Sequence, residues 1–199
     1  MAIDIPLTGG VGSAQRSIYA SVLPAQQGAA TGAYLETISD PATNVVYALD
    51  VGQAPCLGLA GKRTTFGFSA SARVDPNCVV SASDLNFGVL TDFSRPVDAQ
   101  TSISVSCSAG LSYTIALDGG RSRASDPTQR KMTSGVASIR YALHRDAARS
   151  LPWGASSANA HASVGSGGAQ TIPVYGRIAA GQRPSPGSYS DVIVITVAY

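Results

Sequence analysis

Residues 170–199 read QTIPVYGRIAAGQRPSPGSYSDVIVITVAY. Two apolar runs, Gln170 to Ile178 and Tyr189 to Tyr199, flank a stretch of Gly, Gln, Arg, Pro and Ser, the pattern of two strands joined by a turn-rich connection. The second run is unusual. From Val192 to Tyr199 apolar residues occupy both faces of the strand. A strand apolar on both faces belongs inside a sheet, with neighbours on both edges. Left at an edge, it is a template for a strand arriving from another chain. The sequence leaves both possibilities open.

The rest of the chain reads the same way. Phe66, Phe68, Ala70, Ala72 and Val74 alternate with Gly67, Ser69, Ser71 and Arg73, the period-2 signature of a half-buried strand. Val79-Val80 and Leu85-Asn86-Phe87 are short runs between turn residues. Ile103 and Val105 lead to Cys107, and Tyr113, Ile115 and Leu117 lead to Asp118-Gly119-Gly120. Val136 to Leu143 makes a further strand. No stretch of ten residues carries a helical stripe, and Ala142 to Ser150 makes a helical turn at most. Sectors 118–135 and 154–170 read as long surface loops. Many short strands separated by Gly, Ser and Pro predict an all-β fold, an antiparallel β-sandwich.

The tail is also echoed near the head. Residues 15–38 read QRSIYASVLPAQQGAATGAYLETI, in which Gln15, Tyr19, Gln26, Gly32, Tyr34 and Ile38 answer to Gln170, Tyr175, Gln182, Gly187, Tyr189 and Ile193. A glycine cluster precedes each copy, Gly9-Gly10-Val11-Gly12 in one and Gly165-Ser166-Gly167-Gly168 in the other. The offset, about 155 residues, is a domain length rather than a solenoid period. The expectation is a partial first domain over 1–47, a linker over 48–63 and a complete domain over 64–199. The natural start is then expected upstream of Met1.

Composition narrows the function. Charged residues make up 13% of 199, against about 25% in an ordinary soluble domain. Such a surface suits an extracellular structural protein. The net charge of +2 and the absence of any Lys/Arg run argue against a nucleic-acid partner. Lys62-Arg63 and Arg130-Lys131 read as ordinary solvated pairs. No apolar run approaches the roughly 18 residues of a membrane helix. The head, MAIDIPLTGG, carries no signal peptide.

Three cysteines are present. Cys78 and Cys107 each border a strand-like run, and a bridge between them would contribute about 3–4 kcal/mol. Two buried thiols are the alternative. Metal binding lacks the second ligand two to four positions away that such sites use. Cys56 is left over, an unpaired cysteine between the repeats. His144 and His161 are the only histidines, and no nucleophile-elbow motif accompanies the many serines. Asp84, Asp118, Asp126, Asp146 and Asp191 flank strand ends and read as turn residues rather than acid/base pairs. Trp153, between Pro152 and Gly154, is a packing anchor before it is a sugar-stacking residue. No enzyme, small-molecule substrate, metal or cofactor is expected.

Five stretches carry a family resemblance. They are FGFSASARVDPNCVVSASDLNFGVL at 66–90, TSISVSCSAG at 101–110, YTIALDGG at 113–120, YALHRDAARSLPWG at 141–154, and the whole of 172–199. Together they closely resemble the spore coat protein U domain. That family comprises secreted pilin and adhesin subunits of archaic chaperone–usher pili in Gram-negative bacteria. The resemblance covers 64–199, and through the repeat it extends to about 9–47.

It implies an incomplete immunoglobulin-like sandwich whose groove is filled first by a periplasmic chaperone, then by the extension of a neighbouring pilin subunit. An outer-membrane usher would be the third partner. Cys78 and Cys107 would form the disulfide. Phe68, Ala70, Ala72, Ile193, Ile195 and Val197 would line the groove, and Tyr199 would sit at the chaperone's anchoring site. The protein would be secreted through the periplasm to a surface pilus and serve attachment and biofilm formation. Tandem copies resemble a two-domain tip adhesin, of which 64–199 would be the pilin half. The alternatives are a cell-surface or spore-coat matrix protein and, more remotely, a monomeric carbohydrate-binding sandwich.

Overall fold

The computed structural model describes residues 8, 13–15, 17–24, 26, 28–39, 44–47 and 62–199. Cys56 and the expected linker up to Gly61 lie outside them. Among the described residues all regular structure is strand, and no helix occurs. The chain divides into two compact units, residues 1–26 with 32–73 and residues 27–31 with 74–199.

In the first unit, β1 (Gly32–Ile38) pairs with β4 (Phe68–Val74), and β2 (Asn44–Tyr47) pairs antiparallel with β3 (Lys62–Thr65). The hydroxyls of Thr37 and Ser69 meet at 3.4 Å. Strand β4 thus forms where alternation predicts it, but its apolar face is uncovered: Phe68, Ala70 and Ala72 are exposed. A two-stranded pair has no second layer against which to bury a face. The head echo also folds differently from the tail. Residues 17–24 form no strand, and Ile18, Tyr19, Val22 and Leu23 are exposed. Their tail counterparts become a strand because they are hydrogen-bonded on both edges, and the head copy has no such partners among the described residues.

The second unit is a sandwich. Its larger sheet runs β5 (Cys78–Ala82), β6 (Val97–Cys107), β11 (Ala169–Ile178), β9 (Ala137–His144), β8 (Arg130–Ser134), each pair antiparallel. The smaller runs β10 (His161–Val164), β7 (Ser112–Leu117), β12 (Ile195–Ala198). Every second residue points inward. Ile103 and Val105, Ile172 and Val174, and Ile139, Tyr141 and Leu143 oppose Tyr113, Ile115 and Leu117 in one core. The all-β sandwich expected from the sequence is the fold found.

Two expected loops contain strands. Sector 118–135 holds β8 and sector 154–170 holds β10; both are short and rich in polar residues, so their alternation is hidden in sequence. Conversely, Leu85-Asn86-Phe87 is not a strand. It lies over β11, where Gly176 leaves the space: a Cβ there would come within 2.5 Å of Leu85 Cδ2 and 2.9 Å of Phe87 Cζ. Cys78 and Cys107 stand directly opposite each other on β5 and β6 and form a disulfide. With 29 positions between them, the bridge contributes about 3.5 kcal/mol in the chain-entropy account.

Candidate functional site

The closing strand begins on one sheet and ends on the other. Ser190 exchanges backbone hydrogen bonds with Thr133 of β8, at 3.0 and 3.2 Å. Four residues later the Asp118 amide donates to Val194 O at 3.1 Å, and β12 then pairs with β7 from Ile195↔Leu117 to Ala198↔Thr114. The expected strand from Tyr189 to Tyr199 is therefore a corner crossing plus a four-residue ladder.

Two carboxylates fix that crossing. Asp118 accepts the amides of Gly120 and Val194, both at 3.0 Å. Asp191 accepts the Arg121 amide and the Tyr141 hydroxyl, both at 2.8 Å, together with its neighbour Val192. Gly120 (φ 68°) passes so close to Asp191 that a Cβ there would collide with the carboxylate. Burial, then the Asp191 bond, pushes the Tyr141 hydroxyl well above its ordinary pKa, so it stays a donor.

Arg130 underlies this arrangement. It is fully buried (0% exposed), not solvated as the sequence suggests. Its Nε donates to Asp118 O (2.7 Å), Nη1 to Pro127 O (2.9 Å), and Nη2 to Leu117 O (3.1 Å) and Trp153 O (2.8 Å). Burial lowers the pKa of the guanidinium, and nearby Tyr141, Asp118 and Asp191 oppose that shift. The sequence signal that could have revealed Arg130 is its place two positions before Met132, on the inward side of β8.

Among the described residues β12 has one neighbour, β7, and its other edge is open. It is thus the last strand of its sheet rather than a central one. Since Val194 bonds toward β7, the alternation of an antiparallel ladder turns the N–H and C=O of Ile195 and Val197 toward the open edge. Ile193, Ile195 and Val197 pack, half-buried, on the core, while Val192 and Val194 are 52% and 56% exposed. A groove of about 1140 Å³ lies in the same unit. Met132, Ile139 and Ile178 line it, with the segment 85–94 and the connection 181–189, whose rings include Phe87, Phe93 and Tyr189.

The other expected groove residues, Phe68, Ala70 and Ala72, lie in the first unit on β4. Tyr199 is 58% exposed. Trp153 is fully buried, which removes it as a sugar platform. Two aspartates do turn work: Asp126 caps Thr128, and Asp146 accepts the Ser150 and Leu151 amides at 2.8–3.0 Å; desolvation pushes its carboxyl up, and these bonds together outweigh that and hold its pKa at about 2. His144 is buried with Nδ1 3.4 Å from Tyr175 O, and His161 packs 5.5 Å from the Trp153 ring.

Burial lowers the pKa of both histidines from 6.5, against the pull of the Tyr175 carbonyl and Asp146 at His144 and with the push of Arg145 at His161. The neutral form is therefore the folded form. Its stabilisation is complete above the unfolded value and falls as pH drops below about 6.5. A thermal melt at pH 5 is expected below that at pH 7.5, with the gap narrowed in His144→Gln/His161→Gln. Asp98, held low by its hydrogen bond to Arg177 and by Arg149, does not protonate in this window. A wild-type melting temperature that is flat or rises on acidification would contradict the assignment.

Residues 64–196 match the model of the Spore Coat Protein U domain. The chain belongs to this family. The matched span takes in β4 through the first half of β12, with the disulfide and the groove. The chain is similar to Protein U of Myxococcus xanthus, 29% identical over 127 residues that cover 58% of this chain and 71% of that protein. It is also similar to a chain in the crystal structure of the CsuC–CsuE chaperone–tip adhesion subunit pre-assembly complex, from the archaic chaperone–usher Csu pili of Acinetobacter baumannii. There the TM-score is 0.51 and the identity 25%, over 70% of this chain and 45% of that one. This spore coat protein U domain chain thus spans under half the length of the solved chain it matches.

Proposed function

We propose that this chain is a non-catalytic structural subunit of a chaperone–usher pilus, assembled by strand donation at the open edge of β12 and serving surface attachment and biofilm formation. The observation that carries it is that edge: a strand apolar on both faces, hydrogen-bonded on one side, with half-buried Ile193, Ile195 and Val197 beside it. A donated strand would bond to Ile195 and Val197 through its backbone and set register through alternate side chains. The chaperone–subunit complex of the Csu relative supports a chaperone as the first donor and a pilin neighbour as the second; an outer-membrane usher would act between them. Phe68, Ala70 and Ala72 would join the groove lining once β4 borders the donated strand, and Tyr199 would anchor the chaperone. The repeat supports 1–47 as a piece of a second such domain, joined through 48–63 to 64–199.

The test is co-expression of the full chain with its periplasmic chaperone. A 1:1 complex is expected, with self-association of the chain when the chaperone is omitted. Val197→Pro removes an outward N–H without touching the β7 ladder, and is expected to cut complex yield about tenfold or more. A chain that stays monomeric and folded alone, and whose Val197→Pro variant behaves as wild type with chaperone, contradicts the proposal. That outcome would favour the coat or matrix role that the family's description carries.

A further inference from the structure

The cations on and beside the outer face of the larger sheet include two groups. Arg177 forks onto Asp98 at 2.7 and 2.9 Å, and Arg149 reaches the same carboxylate at 3.2 Å while lying over the Tyr175 ring. A second group has no such partner. Lys131 of β8 and Arg140 of β9 stand directly opposite each other, and Arg183 of the connection after β11 faces the same concavity, about 370 Å³, with Ser138, Gln182 and Pro184. Among the described residues none of these three cations is in an ion pair.

Like charges directly opposite on paired strands repel, and an oxyanion seated between them would relieve that repulsion. The site is also held in shape. Gln182 clamps the connection to β9, its Oε1 accepting the Arg140 amide and its Nε2 donating to Arg140 O, both at 2.8 Å, with a further bond to Ala179 O at 3.2 Å. The backbone carrying two of the three cations is thereby fixed, while their head groups remain exposed.

We propose that Lys131, Arg140 and Arg183 form a binding site for the oxyanion of an acidic polysaccharide, a sulfate or phosphate ester on a sugar chain. Two guanidinium forks and an ammonium match the several oxygens of such a group. No aromatic ring lines the concavity, which disfavours stacked nucleobases, and its one non-polar side chain, Pro184, offers too little surface for a lipid tail. No basic run in the sequence marks the site, because its members come from two strands and a connection. It stands independently of strand donation.

Binding of the full chain to immobilised dextran sulfate and to phosphorylated mannan, with neutral dextran as blank, tests this. Retention on at least one charged polymer is expected, weakening as salt rises, and which polymer is preferred assigns the ester. Arg140→Gln/Arg183→Gln is expected to weaken it about tenfold or more, the loss of two charge-assisted contacts. Arg121→Gln/Arg123→Gln removes the same charge outside the concavity and is expected to bind nearly as wild type. Thermal melts of both variants, expected to lie no lower than wild type, exclude unfolding as the cause. Equal losses in the two double variants, retention no better than on neutral dextran, or a cluster-dependent preference for single-stranded DNA would each overturn the proposal.

Discussion

Arg130→Ala is expected to lower the unfolding free energy of the sandwich unit by about 4–5 kcal/mol, a large share of the roughly 5–15 kcal/mol that holds an ordinary domain folded. The side chain donates to four carbonyls, those of Leu117, Asp118, Pro127 and Trp153, from a position with no access to water. Each carbonyl left buried and unbonded costs on the order of 1–3 kcal/mol, partly relieved where water enters the vacated space. Arg130→Met restores volume but no donor and is expected to recover little. Arg130→Lys keeps a charge that reaches one or two of the four oxygens and should fall between. Urea unfolding orders the three variants. A change under about 1 kcal/mol for Arg130→Ala would show that the four bonds are dispensable.

Function enters through the same residue. Arg130 holds the backbone of Leu117 and Asp118, Asp118 holds Val194, and Asp191 holds the turn at Arg121 and the Tyr141 hydroxyl. The crossing of the closing strand from β8 to β7 rests on these bonds, and the open edge of β12 lies immediately beyond. Under the proposed strand donation, Arg130→Lys should therefore weaken chaperone capture before it abolishes folding.

These dependencies mark where sequence reasoning stops. Ile103–Val105, Tyr113–Leu117, Val136–Leu143 and Gln170–Ile178 were legible because large apolar residues alternate there with Ser, Thr and charged ones. Strand β8, Arg-Lys-Met-Thr-Ser, was not: its inward residues are an arginine and a methionine, and its neighbours resemble a loop. The buried guanidinium bonds to backbone oxygens, which carry no residue signature. The apolar character of 192–197 was visible, yet composition could not say which edge is paired. That depended on Ser190 and Asp118, two polar residues that route the chain between sheets. The cationic concavity was hidden because a residue pair counted as solvated divides, Arg130 turning inward and Lys131 outward, as alternation along a strand requires.

Trp153→Ala is the second large effect, expected to cost about 3–5 kcal/mol. The indole is the chain's one tryptophan and is fully buried. It joins the two sheets: its amide donates to Leu143 O of β9 at 2.8 Å, and its Nε1 donates to Ile115 O of β7 at 2.9 Å. Its ring packs against His161 of β10, and its carbonyl takes one of the Arg130 bonds. Alanine would remove the ring and leave a cavity between the layers. Trp153→Phe would keep most of the volume and lose the Nε1 bond, at about 1–2 kcal/mol. Chemical unfolding measures both. Native emission of the single indole should be blue-shifted and poorly quenched by iodide, moving to the red only on unfolding. An emission already red and freely quenched in the native state would place the ring at the surface and restore it as a sugar platform. With the ring enclosed, any polysaccharide binding lost in Trp153→Ala must track the lost fold, while binding lost in Arg140→Gln/Arg183→Gln must not. The two variants together separate a glycan site on the outer sheet from a general dependence on the folded sandwich.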